Sequence, residues 1–158
     1  MTGHKTGRTS AGILLWRSRE GELEVLLGHM GGPYWAKKDL GHWTIPKGEV
    51  EEGEELVAVA LREFAEETGH EIPDVPLLEL AEITQKSGKV VLAWAAEGDL
   101  DPATAVSNTF EMEWPPGSGR IAEFPEIDRV EWFGMTEARR KLKDAQVPFL
   151  DRLEEALG

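Results

Sequence analysis

The sequence predicts a single α/β domain, and three observations carry that expectation. Its 158 residues are the length of one domain, enough to bury about 68 to 70% of the unfolded surface. Short apolar or alternating runs, separated by turn signals, recur along the chain as strands do. Among them lies one stretch, Glu54 to Thr68, of good helix formers that no glycine or proline interrupts.

In chain order, Met1 to Arg8 is basic and reads as a short disordered tail, so the domain spans residues 9–158. Ser10 to Trp16 and Glu22 to Gly28 read as two strands joined by a polar turn at Arg17 to Gly21, a hairpin. Gly31 to Asp39 has turn composition. Trp43-Thr44-Ile45 is a short strand stopped by Pro46, which lacks the N–H that a ladder needs. The helix over Glu54 to Thr68 ends at Gly69, the usual stop residue. Leu77 to Thr84 and Lys89 to Ala96 follow as strands around the turn Gln85 to Gly88, and Thr109 to Trp114 is another before the Pro- and Gly-rich segment 115–119. Val130 to Phe133 is a last strand, Thr136 is expected to cap a helix to about Lys143, and Phe149 to Leu157 forms a terminal amphipathic helix. There is no repeat, low-complexity tract or long linker.

Composition narrows the function classes. With 41% hydrophobic and 30% charged residues the chain fits a soluble globular protein, and no apolar run approaches the roughly 18 residues of a membrane span. The apolar stretch after the basic N-terminus breaks at Trp16-Arg17 without a small-residue cleavage site, unlike a signal peptide. The absence of cysteine removes disulfides, thiolate metal sites and cysteine nucleophiles. It also fits a reducing compartment, so the cytoplasm is the expected location. Seventeen basic against 30 acidic residues give −13, which argues against stable nucleic-acid binding, because phosphate neutralisation needs clustered Lys and Arg. Gly48 to His70 alone holds eight Glu and one Arg, so about half of the net charge sits in one short segment.

On a helix, Val57, Leu61, Phe64 and Thr68 form one stripe, while Glu63, Glu66 and Glu67 converge within roughly 100° on another face. Like charges at these spacings each cost about 0.2 to 0.5 kcal/mol, and the macrodipole disfavours anions in the last turns. A hard divalent cation such as Mg²⁺ removes the conflict, since it prefers carboxylate oxygens and is often shared with substrate phosphates. An arbitrary Glu-rich helix would be read as a solvated acidic face; the spacing here says otherwise. Gly48, five residues, Glu54, seven residues, then Arg62-Glu63-Phe64-Ala65-Glu66-Glu67-Thr68-Gly69 resembles the Nudix box, the 23-residue signature of the Nudix hydrolases. His70 departs from it, standing where the family usually has an aliphatic residue. Ile72 is read as filling that core position.

The resemblance implies an α/β/α sandwich with a mixed sheet, in which a loop-helix-loop presents the box. It also implies a Mg²⁺- or Mn²⁺-dependent hydrolase that splits nucleoside diphosphates linked to another group by attack of water on phosphorus. By position, Glu63 and Glu67 resemble the metal ligands, Glu66 a further ligand or general base, and Gly48 the residue whose carbonyl completes the coordination. Arg62 and Glu54 resemble an orienting ion pair, and Glu54 also suits the helix N-terminus electrostatically. Glu49, Glu51, Glu52 and Glu55 match variable positions and read as solvated surface.

Pro46-Lys47-Gly48 at the start of the box resembles family members acting on dinucleoside polyphosphates or other highly phosphorylated molecules, with Lys47 on a phosphate. ADP-ribose and nucleotide-sugar pyrophosphatases come second, because they commonly carry an N-terminal dimerisation extension and only 47 residues precede Gly48. A mutator-type nucleoside triphosphate pyrophosphatase is third. A non-catalytic nucleotide-sensing module would usually have a degraded box, and here every fixed acid is kept. The dinucleoside polyphosphate enzymes often stack a base on a tyrosine downstream of the box, whereas the single tyrosine here, Tyr34, lies upstream. Trp35, Trp43, Phe110 and Trp114 are the alternatives, Trp35 foremost because it sits in a Gly-rich loop. Lys37, Lys38, Lys86 and Lys89 are further candidate phosphate contacts. Glu111 or Glu113 is expected to supply the late-loop base or third ligand that many members recruit. Nothing in the spacing of His29 or His42 supports an acid-base role. A homodimer stays open, since no assembly signature is present.

Overall fold

The computed structural model describes residues 8–158, so the expected tail, apart from Arg8, lies outside the described residues. β1 (Thr9–Arg19) and β2 (Glu22–Met30) pair antiparallel around Glu20 and Gly21, both at positive φ. That is the turn geometry matching the twist of a hairpin, and it makes the turn tighter than the five residues expected. β3 (Trp43–Thr44) joins the outer side of β2, and β4 (Lys47–Glu49) crosses back to pair with β1. After α1 (Leu56–Thr68) come β5 (Leu78–Thr84) and β6 (Val90–Glu97), and β6 lies parallel to β1. β7 (Thr109–Glu113) and β8 (Ile121–Pro125) form a separate ribbon, and β9 (Ile127–Gly134) returns to β2. The main sheet therefore runs β3-β2-β1-β6-β5, with β4 on β1 and β9 on β2. α2 (Met135–Lys141) and α3 (Pro148–Leu157) close the chain.

Because β1 is central, both of its faces are apolar, as for any strand buried on two sides. Ala11, Ile13 and Leu15 pack with Val59, Ala60 and Phe64 of α1 in one apolar layer. Leu14 faces the other way, into a layer completed by Ala138 of α2 and Phe149, Leu150 and Leu153 of α3. The result is an α/β/α sandwich on a mixed sheet. No described helix is long and apolar enough to cross a membrane.

Several boundaries differ from the sequence expectation, each for a physical reason. α1 starts at Leu56 rather than Glu54, because Glu54 closes a turn on Glu51 and its carboxylate accepts from the Glu51 N–H at 2.8 Å. Its buried face carries Val59, Ala60, Phe64, Glu67 and Thr68, while Val57 and Leu61 are only half-buried. The stripe is thus rotated toward a buried glutamate. Thr136 does not cap α2; Gly134 precedes it without a side-chain bond, and the helix stops at Lys141 because Leu142 turns extended and buries beside Trp43. β4 and β8 were not anticipated, and β9 begins three residues before Val130.

Candidate active site

The site grows from the contact between α1 and β4. Gly48 lies directly against the Glu63 side chain: a Cβ there would overlap the Glu63 carboxylate, so any larger residue would push that carboxylate aside. At Gly12 on β1 the backbones themselves come close, since a Cβ there would stand 2.6 Å from the Pro46 carbonyl oxygen, which already accepts from the Ile13 N–H at 3.2 Å. Glu67, within one turn of the end of the box, is 7% exposed, and its Oε1 accepts from the Lys47 N–H at 3.3 Å. At the helix end Gly69 takes the left-handed conformation, φ 75°, and its N–H donates to the Ala65 carbonyl. Segment 106–108 packs against that turn: Val106 N–H donates to Thr68 O and Asn108 N–H to Glu66 O. The Asn108 carbonyl in turn accepts from Glu126 N–H, which carries Glu126 to the mouth of the site. A cavity of about 310 Å³ results, with Lys47, Gly48, Glu63, Glu67, Lys89 and Glu126 among its walls.

Its electrostatics are those of anions short of compensation. Burial pushes the Glu67 carboxyl up to about 8, against the pull of Lys47 and with Glu63 and Glu126 adding to the rise. Burial, then the neighbouring Glu66, raises Glu63, although Arg62 opposes it. The Lys47 ammonium is pushed down by burial, and Glu67 partly restores it. Arg62 Nη1 donates to Glu54 Oε2 at 2.7 Å, with Glu63 Oε2 at 3.5 Å and Glu66 Oε2 at 3.9 Å also in reach. That bond holds Glu54 below its ordinary range. No three described acidic or histidine side chains already stand at mutual ligating distance. The donor set nonetheless suits a hard cation: two half- or fully buried carboxylates, a third facing them, and a backbone carbonyl at a glycine that leaves room beside them.

The remaining expected residues separate into three groups. Lys47 and Lys89 line the acidic cavity, and Lys89 Nζ lies 3.7 Å from Glu49 Oε2. Lys86 lines a neighbouring cleft, while Lys37 and Lys38 are exposed on the 31–42 loop and line neither. Trp35 is 38% exposed and its ring lies 5.7 Å from that of His42, which lines the same cleft as Lys86. Trp43 is buried core, its Nε1 donating to Asp39; Phe110 packs on Phe124, and Trp114 on Tyr34. Glu66 is 45% exposed and outside the cavity wall. Glu111 and Glu113 are both exposed on the β7–β8 ribbon, Glu113 accepting from Gly119 N–H, and neither lines the cavity. The acidic residue from this part of the chain that does line the cavity is Glu126, between Pro125 and Ile127.

Two histidines prove structural. His29 is buried, with Nδ1 2.8 Å from Asp128 and Nε2 2.6 Å from the Lys38 carbonyl, so it fastens the 31–42 loop to the sheet. His70 bonds Thr104 at 2.8 Å while Ile72 packs against the α1 layer. Sequence reading also missed Gln146, fully buried, whose amide group bonds Thr44, Ile45 N–H and Gln85.

A three-layer sandwich with this glycine-flanked acidic helix against its central strand defines the Nudix class of domain. The family model described as NUDIX domain matches residues 6–153, and the chain belongs to the Nudix family. Among relatives, the bis(5'-nucleosyl)-tetraphosphatase [asymmetrical] of Rattus norvegicus is 42% identical over 67 residues, 39% of this chain and 46% of that protein. The chain therefore spans under half the length of that relative. An RNA pyrophosphohydrolase of Brucella anthropi is 32% identical over 123 residues, 72% of this chain and 66% of that protein. Among solved structures, an Ap4A hydrolase of C. elegans, determined as a binary complex, superposes with a TM-score of 0.64 at 23% identity, covering 95% of this chain and 97% of that one.

Proposed function

We propose that this chain is a divalent-cation-dependent hydrolase that cleaves a phosphoanhydride of a nucleoside polyphosphate, with dinucleoside polyphosphates as the favoured substrates. The observation that carries the reading is Glu67, a buried carboxyl pushed up to about 8, beside Glu63 and the Gly48 gap in one cavity with Lys47 and Lys89. A fold does not leave such a group uncompensated without a cationic partner for it.

In this reading Glu63, Glu67 and the Gly48 carbonyl hold the cation, Mg²⁺ or Mn²⁺, and Glu66 is an outer member of the set. The chemistry supplied with it is neutralisation of phosphate charge and a lowered pKa for the water nucleophile. Arg62, fixed by Glu54, keeps Glu63 turned toward the cavity. Glu126 accepts the proton of the attacking water, and Lys47 and Lys89 hold phosphate oxygens. Support for the dinucleoside preference is the local 42% identity to the rat tetraphosphatase and the presence of two lysines next to the carboxylates. A second reading, pyrophosphate removal from RNA, is favoured by the Brucella relative and opposed by the net charge of −13.

Product analysis on dinucleoside polyphosphates, nucleoside triphosphates, ADP-ribose, nucleotide sugars and 5'-triphosphorylated RNA, with Mg²⁺, Mn²⁺ or chelator, tests it. Cation-dependent cleavage with the dinucleoside polyphosphate turned over fastest is the expected result. Cation binding without turnover of any substrate would favour a nucleotide-sensing module.

A further inference from the structure

Next to the acidic cavity lies a larger cleft of about 860 Å³, walled by the 31–42 loop, the β5–β6 turn and the segment after α2. The two lie close together, near enough for the charges of Lys47 and Lys89 to act on Lys143. Lys86 and Lys89 sit on the same turn, one lining each space. The segment after α2 is tied to the strand that leads into Lys47: Lys143 N–H donates to Trp43 O at 2.9 Å, and Gln146 bridges Ile45 N–H and Gln85. Arg140 closes the rim, its carbonyl accepting from Gly41 N–H at 3.0 Å.

In a protein of net charge −13, this cleft gathers three cations, Lys86, Arg140 and Lys143, against one acid, Asp144. No described acidic side chain lies within ion-pair distance of Lys86 or Lys143, and Arg140 pairs only with Glu137 on its own helix. Lys143 is half-buried, and burial, followed by the nearby charges of Lys47 and Lys89, works against its ammonium form. Thirty acidic residues were available to neutralise these cations, and the fold leaves them facing open space. Partly buried like charges are stabilised only by an anion supplied from outside. A chain of phosphates has the charge to satisfy Lys143 together with Lys47 and Lys89, whose charges act on it.

We propose that Lys143, with Lys86 and Arg140, forms a distal phosphate subsite, so that Lys143 selects substrates carrying phosphates beyond the scissile anhydride. This rests on the hydrolase reading above for its place in catalysis, but the binding it asserts does not. The phosphates belong either to a dinucleoside polyphosphate, whose far nucleoside would meet Trp35, Leu40 and His42, or to a polyphosphorylated molecule without that nucleoside.

The test compares the wild type with Lys143→Gln, Lys143→Arg and Lys86→Gln in the full chain. Calorimetry with inorganic tripolyphosphate and with orthophosphate, in chelator, reads binding without turnover. Tripolyphosphate affinity should fall about tenfold in Lys143→Gln, as for loss of one charge-assisted bond, and stay within about threefold of wild type in Lys143→Arg. Orthophosphate binding should be unchanged. With Mg²⁺, KM for diadenosine tetraphosphate should rise about tenfold while kcat and KM for ADP-ribose hold. Melting temperatures equal to or above wild type exclude misfolding, and Lys86→Gln should repeat the pattern more weakly. Tighter binding of diadenosine tetraphosphate than of tripolyphosphate would identify the nucleoside-bearing source, and equal binding the bare phosphate chain. Equal losses for all ligands, or none for tripolyphosphate, would overturn the proposal. Failure of every substrate to turn over while tripolyphosphate discrimination persists would sink the hydrolase reading alone.

Discussion

Replacing Glu67 by Gln keeps the shape of the side chain and removes its charge, so it isolates what the buried carboxylate does. In the cation-free protein the folded-state pKa of about 8 stands well above the ordinary 4.5. The folded state therefore holds a proton that the unfolded chain releases. Stability from this group is fully present below about 4.5 and is lost as pH rises toward about 8. Across that window each pH unit removes up to about 1.4 kcal/mol, several kcal/mol in all before relaxation around Lys47 reduces it. Urea unfolding from pH 5 to 8.5 in chelator should show wild-type stability falling while Glu67→Gln stays nearly flat, so that the variant becomes the more stable protein near pH 8. Mg²⁺ should restore the wild type at pH 8, because a bound cation favours the ionised carboxylate, and should leave the variant almost unaffected. Turnover should be lost in the variant. Parallel pH profiles in chelator, or equal stabilisation of both proteins by Mg²⁺, would refute the reasoning.

Three further outcomes follow from the geometry. Gly48→Ala should displace the Glu63 carboxylate, because the new methyl overlaps its end, and so lower kcat strongly while the melting temperature changes little; activity assays and thermal melts read both effects. Glu126→Gln should lower kcat at least about a hundredfold at saturating cation, in the range of a lost general base, while Glu111→Gln and Glu113→Gln stay within about twofold. Arg62→Gln should lower cation affinity or activity about 10- to 100-fold with little change in melting temperature, since its bond to Glu54 orients a ligand at an exposed surface.

Legibility in the sequence followed how local each feature is. The hairpin, the α1 helix with its Gly69 stop, and the spacing of Gly48 to Glu63 and Glu67 are fixed by short-range periodicity and by glycine positions, and they stand out without tertiary information. The rotated stripe of α1 was hidden because hydrophobicity patterns assume that glutamate is exposed, and Glu67 is not. Glu126 was hidden for another reason: it reaches the cavity through the β7–β8 ribbon and the Asn108 link, contacts between segments far from the box. Trp43 drew notice as an aromatic near the box but lies in the core with its indole bound to Asp39. Lys143 fell at the end of the helix expected from Thr136; the extended Leu142 takes it out of α2, and it lies where the charges of Lys47 and Lys89 reach it.

The most direct measurement is hydrolysis of diadenosine tetraphosphate in oxygen-18 water with Mg²⁺, with products resolved by mass spectrometry, for the wild type and Glu67→Gln. The account predicts ATP and AMP, one oxygen-18 atom in a product phosphate, and complete loss of reaction on chelation or in the variant. Intact substrate under all conditions, or cleavage indifferent to chelator and to Glu67, would contradict it.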